Sequence, residues 1–197
     1  INMKILLTTL LIFTSSVLLA SPSVGIIVKK KGNVELLGNP SKKFIDGKGV
    51  VLYEGTYYTQ KKVRPGSKLR NGDILRTGKK SKARIVYKNG DQLNVGEGSA
   101  FKISWKKSTK TKTEESTISI INGALRGIVS KKGPRNTLTI KSRSAVMGVR
   151  GTDFHFAQRG TSGKTAISVL RGKVEVAKTE TPREIVKVGQ GFSAELF

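Results

Sequence analysis

The chain of 197 residues contains no cysteine and a single histidine, His155, and each scarcity excludes a class of site. Without cysteine there is no disulfide framework, no zinc finger and no thiol nucleophile. One histidine cannot supply a multi-histidine metal site. Acidic residues are also scarce, with 13 Asp and Glu against 37 Lys and Arg. We therefore expect no metal and no other cofactor.

Long apolar runs are confined to the start of the chain. Residues 5–19 are apolar with Thr and Ser interspersed, Lys4 precedes them, and Ala20 stands before a Ser-Pro break. This pattern is typical of a secretory signal peptide, and the apolar stretch is shorter than a membrane span. The sequence predicts a signal peptide over residues 1–20 and a single mature domain over 21–197. We expect the domain to be exported to the periplasm or the cell surface, with no further membrane span.

The formal net charge of +24 bears on partners rather than on fold. Removal of the leader takes away Lys4 and no acidic residue, so the mature domain carries +24 − 1 = +23. An exported protein meets lipopolysaccharide, teichoic acids and other anionic polymers of the envelope. We therefore expect an anionic envelope polymer or an envelope protein as the partner, and no nucleic acid.

Apolar and polar residues alternate with a period of two in many short segments after the leader. Clear examples are residues 101–105, 117–120, 137–141, 152–156 and 165–169. Such alternation, with many β-branched and aromatic residues, predicts strands that bury one face. Asn-Gly pairs at residues 71–72, 89–90 and 122–123 predict type I′ hairpins between strands. The sequence thus predicts an all-β fold, either an antiparallel sandwich or a solenoid-like β roll of short strands and hairpins.

Residues 38–64 lack this alternation and are interpreted as an insertion or a loose extra hairpin. Three tyrosines, Tyr53, Tyr57 and Tyr58, cluster there among lysines. Tyrosine suits half-solvated interfaces, so the cluster is a candidate partner-binding surface. The alternative is that these rings pack the segment onto the rest of the fold.

Lysine doublets recur through the chain, and we expect them mainly in turns. The candidate anion-binding lysines are Lys106, Lys107, Lys110 and Lys112. Their alternative role is a solvated surface that protects strand edges. Arg150 is a further candidate, because an arginine can hold an anion with two hydrogen bonds. Its alternative role is to bond the carbonyl groups of a turn.

The sequence gives little support for catalysis. Alternation places Phe154 and Phe156 inward and His155 outward, and no serine stands in a Gly-x-Ser-x-Gly elbow. No Ser-His-Asp arrangement or other catalytic constellation is evident. We therefore expect a protein that is not an enzyme, with an envelope hydrolase as the least favoured alternative.

Six blocks in a fixed order resemble the FecR-domain family. They are residues 32–34, 69–78, 89–95, 122–125, 145–154 and 170–176. The core motif of the resemblance consists of Gly72, Asp73, Arg150, Gly151, Thr152 and Phe154.

This resemblance implies an all-β extracytoplasmic module. In the full regulators of the family, the module relays the state of a transporter to a sigma factor across the membrane. Here a signal peptide is predicted in place of the cytoplasmic segment and the internal membrane helix of those regulators. The resemblance therefore favours a stand-alone binding or scaffolding module, with a part in envelope signalling as the alternative.

Overall fold

The computed structural model describes residues 22–107, 114–131, 135–160 and 163–197, and these form 17 β-strands and no α-helix. The first nine strands are β1 (Ser23–Lys31), β2 (Val34–Ser41), β3 (Val50–Tyr53), β4 (Thr56–Lys62), β5 (Lys68–Arg70), β6 (Ile74–Thr77), β7 (Lys82–Tyr87), β8 (Gln92–Val95) and β9 (Ala100–Lys107). The other eight are β10 (Glu114–Ile128), β11 (Arg135–Lys141), β12 (Ala145–Val149), β13 (Asp153–Arg159), β14 (Lys164–Arg171), β15 (Lys173–Lys178), β16 (Val186–Gly189) and β17 (Ser193–Leu196). The predicted all-β class is confirmed.

The strands form two sheets that share β10. Sheet A has the order β5-β1-β7-β8-β10-β13-β14-β17. Sheet B has the order β3-β4-β2-β6-β9-β10-β11-β12-β15-β16. The two sheets bury their inner faces in one core cluster, as in a sandwich, and β10 joins them into one continuous, rolled sheet. The all-β class is therefore confirmed, with one continuous sheet that buries its inner faces in a common core.

The 15-residue strand β10 belongs to sheet B in its first half and to sheet A in its second half. The change occurs at a bulge between Ile120 and Asn122, followed by Gly123 with φ +97°. A side chain at position 123 would overlap Ser99, so glycine is required both for the conformation and for the space. Strand β10 is thus the strand through which the two sheets are joined.

One strand pairing departs from the antiparallel prediction, because β10 and β11 run parallel. A parallel pair needs a crossover connection. The second half of β10 supplies it, since it carries the chain into sheet A before β11 returns to sheet B beside the first half. The pairings of the other described strands are antiparallel, as predicted.

The three Asn-Gly pairs take three different structures. Residues 89–90 do join paired strands, β7 and β8, but only Gly90 has positive φ (+84°), so the turn is not type I′. Residues 71–72 lie where the chain crosses from β5 in sheet A to β6 in sheet B, and residues 122–123 directly follow the bulge inside β10. The prediction of three type I′ hairpins is wrong, because a positive φ at glycine suits a crossing or a bulge as well as a hairpin.

Residues 38–64 contain the hairpin of β3 and β4, which extends sheet B beside β2. Its two-residue turn, Glu54-Gly55, has positive φ at both residues (46° and 63°), as a type I′ turn requires. Tyr58 of this hairpin is fully buried and packs with Leu37 and Ile74 in a second, smaller core cluster. This cluster fixes the hairpin against the outer face of sheet B.

Candidate functional site

Gly72 and Asp73 of the core motif lie in the crossing between β5 and β6. Gly72 has φ +86°, and its N–H donates to the carbonyl of Ile103 at 2.8 Å. The Asp73 side chain is buried, and its Oδ2 accepts a hydrogen bond from the N–H of Arg70 at 2.8 Å. Burial raises the pKa of the Asp73 carboxyl. Both residues shape the turn, with the carboxylate bonding an amide three residues earlier.

Arg150, Gly151 and Thr152 form the turn between β12 and β13. Gly151 has φ +64°, and the fully buried Thr152 donates from Oγ1 to the carbonyl of Lys173 at 2.9 Å. Its hydroxyl also lies 3.1 Å from the carbonyl of Arg150. These contacts fasten the turn to the start of β15. Arg150 itself is exposed after the end of β12, and its part in anion binding stays a prediction.

The predicted orientation of β13 is confirmed. Phe154 and Phe156 are both 0% exposed, whereas His155 is exposed on the outer face of sheet A. The ring of Phe154 lies over Gly127, its cross-strand neighbour on β10, so closely that a Cβ at position 127 would overlap the ring. Phe154 of the core motif therefore has a structural role as a core residue, and only glycine at position 127 leaves room for its ring.

Asp153 shares the outer face of β13 with His155, but its carboxylate is bound by Arg126. The Arg126 guanidinium donates from Nε to Oδ1 at 2.9 Å and from NH2 to Oδ2 at 2.7 Å. The hydrogen bonds from Arg126 lower the pKa of the Asp153 carboxyl. The residue pair is a two-point ion pair on the surface of sheet A, and nothing in this geometry orients His155 as a catalytic base.

The candidate lysines at residues 106–112 fall partly outside the described residues. Lys106 is exposed near the end of β9, and Lys107 is the last residue of that strand. Lys110 and Lys112 lie outside the described residues. The expectation that lysine doublets lie mainly in turns needs correction, because residues 29–31, 61–62 and 106–107 end strands β1, β4 and β9.

The structure separates the three clustered tyrosines. Tyr58 is fully buried in the second core cluster, so its side chain is not part of a partner-binding surface. Tyr57 is half-buried and meets the ring of Phe44 edge-on, with ring centroids 5.5 Å apart. Tyr53 is also half-buried and lines a cleft beside the hairpin. Burial raises the pKa of Tyr53 to about 12, aided by its hydrogen bond to Glu54, so the phenol is neutral at physiological pH.

A groove along the neighbouring strands β1 and β7 carries a basic strip that the sequence analysis did not single out. We call it the β1–β7 strip, and it comprises Lys29, Lys30, Lys31, Lys82 and Arg84. Its five side chains are exposed, and the groove has a volume of about 270 Å³. The described residues that line it include no Asp or Glu.

The pairing of β1 with β7 builds this strip from residues far apart in sequence. Lys29 lies opposite Arg84, and Lys31 lies opposite Lys82. The Arg84 Nε donates to Oδ1 of Asn94 at 2.7 Å, which orients the guanidinium. The signal available in the sequence was the alternation of charged residues at positions 82 and 84 with apolar residues at 83 and 85, but only the strand pairing brings residues 29–31 beside them.

A second basic region lies on the outer face of sheet B, next to the β3–β4 hairpin. We call it the hairpin cleft, and its lining includes Tyr53, Glu54, Lys102, Ser119, Lys141 and Arg143. Its volume is about 520 Å³. Lys102 of β9 and Lys141 of β11 stand on either side of Ser119 of β10 in direct register. Of the clustered tyrosines predicted from sequence, Tyr53 is the one placed at this cleft.

The described part of the chain contains no group of three or more His, Asp or Glu side chains that could hold a metal ion. Within the same residues, no helix has the length and apolar character needed to cross a membrane.

Residues 73–175, a little over half of the chain, match the FecR protein family. Two crystal structures of an anti-sigma factor candidate from Parabacteroides distasonis ATCC 8503 are similar in fold, each with a TM-score of 0.50 and with 16% and 15% sequence identity. Each similarity covers 62% of this chain and 53% of the other, so this chain matches about half the length of that protein. No curated protein matches the sequence significantly. With a match over this span, the chain belongs to the FecR protein family.

Proposed function

We propose that the chain is an exported, non-enzymatic binding module of the cell envelope that holds an anionic envelope polymer along the β1–β7 strip. The observation that carries this proposal is the arrangement of like charges directly opposite each other. The strip pairs Lys29 with Arg84 and Lys31 with Lys82, without an acidic residue in its lining. The membership of the FecR family supports an extracytoplasmic location.

Like charges in opposite positions of a strand pair destabilise the sheet, by about 0.2–1 kcal/mol for each pair. A surface that serves only solubility intersperses charges of both signs. The strip therefore carries an energetic cost that a bound polyanion would remove by neutralising the cations. Along β7 the cations recur about every 7 Å, and across to β1 they are about 5 Å apart, which forms a ladder suited to a charged polymer.

Retention on heparin and on teichoic-acid resin across a salt gradient tests the proposal. The strip variant carries Lys29→Gln, Lys31→Gln, Lys82→Gln and Arg84→Gln. Its matched control carries Lys173→Gln, Lys178→Gln, Lys187→Gln and Arg183→Gln, four exposed cations near β15 and β16. Both variants lose four positive charges, so a difference between them reports position rather than net charge.

We expect the wild type to elute above about 0.15 M salt, and the strip variant to elute well before its control. The strip variant should also be at least as stable as the wild type in thermal melts, because its like-charge pairs are gone. Equal elution of the two variants would show that only net charge matters. Binding that barely responds to salt would point to a protein partner recognised by shape and apolar contact.

The lysines predicted from sequence form a separate arm of the same experiment. Replacing Lys106, Lys107, Lys110 and Lys112 with Gln is expected to lower retention modestly, since a single cation among many contributes little on its own. A loss larger than that of the strip variant would move the binding surface to this segment.

A second candidate function is a part in envelope signalling, and the similarity to the anti-sigma factor candidate favours it. Deletion of the gene should then change the transcription of a small set of genes controlled by one sigma factor. Restoration of that transcription by the strip variant would separate signalling from polymer binding. An unchanged transcript profile in the deletion strain would remove this function.

A further inference from the structure

The hairpin cleft has the size and the preformed walls of a small-molecule site. Its volume of about 520 Å³ lies within the usual range of ligand pockets. The β3–β4 hairpin, paired with β2 in sheet B, is held in place by Tyr58, which packs with Leu37 and Ile74 and is 0% exposed. Partly buried Val51, Tyr53 and Ile121 pack against this cluster. The cleft is therefore shaped by packing and does not depend on a ligand to form.

Two lysines flank the centre of the cleft. Lys102 pairs with Ser119, and Ser119 pairs with Lys141, so the three residues form one row across three adjacent strands. Strands lie about 4.8 Å apart, which places the two lysine Cα atoms about 10 Å apart. Lysine stems are long and flexible enough for both ammonium groups to meet over Ser119. One carboxylate or phosphate group can be held between them.

The rest of the lining is basic at one end, and on the hairpin side it combines an aromatic ring with one carboxylate, Glu54. Gln158 is buried, with Nε2 donating to the carbonyl of Ile121 and Oε1 accepting from the N–H of Arg143, each at 3.3 Å. This side chain fixes the end of the cleft at which Arg143 stands. On the hairpin side, Tyr53 supplies an aromatic ring beside Ile121, and Glu54 accepts the hydrogen bond from the phenol.

We propose that the hairpin cleft binds one anionic sugar unit, a hexose-sized ring that bears a carboxylate or a phosphate. Lys102 and Lys141 hold the anionic group, and Tyr53 packs against the ring. Ser119 lies between the two lysines, where a sugar hydroxyl or an anionic oxygen can reach its hydroxyl group. The inference rests on the proposed function, since it makes the cleft the place where a single unit of an anionic polymer is recognised.

Titration followed by backbone amide shifts in NMR tests this site. The probes are digalacturonic acid, galactose 1-phosphate, neutral galactose and inorganic phosphate. The cleft variant is Lys102→Gln with Lys141→Gln, and its control is Lys173→Gln with Lys187→Gln on the same sheet. We expect at least one acidic sugar to bind about tenfold or more tightly than galactose. The cleft variant should lose this preference, whereas the control should keep it.

The role of the ring is tested by Tyr53→Leu, which keeps apolar packing on the hairpin, and by Tyr53→Phe, which keeps the ring. The Leu variant should weaken binding of the acidic sugar and leave inorganic phosphate unchanged, whereas the Phe variant should bind the sugar like the wild type. A preference for digalacturonic acid identifies a uronate polymer as the source of the unit. A preference for galactose 1-phosphate identifies a phosphate-bearing polymer.

Three results would overturn the inference: acidic sugars that bind no more tightly than galactose, a cleft variant that binds them like the wild type, or inorganic phosphate that binds as tightly as galactose 1-phosphate. Heparin retention separates this failure from failure of the proposed function. The strip variant should bind the acidic sugars in the titration like the wild type, because the hairpin cleft is intact. If the strip variant elutes from heparin with its control while the sugar titration gives the expected result, the proposed function of the β1–β7 strip is refuted and the inference about the cleft is not.

Discussion

The close contact between Gly127 and Phe154 gives the sharpest test of the fold. The two residues are cross-strand neighbours on β10 and β13, and Phe154 is 0% exposed. A Cβ at position 127 would overlap the Cε1 and Cζ atoms of the ring. Gly127 is not one of the described glycines with positive φ, so its backbone conformation is compatible with alanine. Gly127→Ala therefore tests space alone.

We expect Gly127→Ala to lower the free energy of unfolding by about 1–3 kcal/mol, as overpacking of a core does. Phe154→Ala should lower it by about 3–5 kcal/mol, because it removes a fully buried ring and leaves a cavity. In the double variant the ring is absent, so the added methyl has room. The cost of Gly127→Ala should vanish there or become a small gain, since alanine also restricts the unfolded chain. The two changes should therefore be strongly non-additive.

Equilibrium unfolding in urea measures these values, with Gly189→Ala as the control. Gly189 also lies on a strand and lacks a positive φ, but no atom lies within 4 Å of a Cβ built there. The control should change stability by less than about 1 kcal/mol, in the stabilising direction. If Gly127→Ala costs the same with and without the Phe154 ring, the cost does not come from this contact and the described packing of β10 on β13 is refuted.

Three further predictions concern single side chains, and urea melts check each of them. Phe156→Ala should cost about 3–5 kcal/mol and His155→Ala less than about 0.5 kcal/mol, and the reverse order would mean that the register of β13 is shifted by one residue. The pKa of Asp153 is lowered in the folded state, so its pair with Arg126 contributes stability above about pH 4 that is lost as the pH falls through the folded pKa. Arg126→Gln should reduce this acid-induced loss of stability, and an unchanged pH profile of stability would contradict the ion pair. The pKa of Asp73 is raised by burial, so the pH dependence of stability has the opposite sign. The folded state takes up a proton at higher pH than the unfolded state. The wild type should therefore gain stability relative to Asp73→Asn as the pH falls from the raised pKa toward about 4. A difference between these two proteins that is constant over this range would exclude titration of Asp73.

The orientation of individual strands could be predicted from the sequence because it depends on local alternation. In β13, the order Phe154-His155-Phe156 leaves only one register in which both rings are buried, and the structure has that register. The same local rule applies to β7, where Ala83 and Ile85 point into the core. Burial of apolar side chains on one face of a strand is decided by neighbours in sequence, so a single sequence reveals it.

The connections and the binding surfaces could not be predicted from the sequence, because they depend on contacts between residues that are distant in the chain. The Asn-Gly pairs all provide a glycine with positive φ, but pairing elsewhere decides whether the chain turns back, crosses to the other sheet or forms a bulge. The β1–β7 strip joins residues 29–31 to residues 82–84 through a register that the sequence does not reveal. Tyr58 likewise became a core residue because Leu37 and Ile74 of two other strands cover it.

The placement of the two basic regions makes the proposed experiments independent of each other. Lys82 and Arg84 point away from the core on sheet A, because Ala83 and Ile85 between and beside them are buried. Lys102 lies on the outer face of sheet B, and its neighbours Phe101 and Ile103 are buried in the core.

The outer faces of two packed sheets point in opposite directions. A sugar unit in the hairpin cleft therefore cannot also contact the β1–β7 strip, and only a long polymer that passes around an edge of the sandwich could reach both regions. Effects of the strip and cleft variants should accordingly be additive for short ligands, since distant sites without shared partners act separately. A departure from additivity that appears only with long polymers would show that one chain occupies both regions, because the second contact then becomes intramolecular and gains from a raised effective concentration.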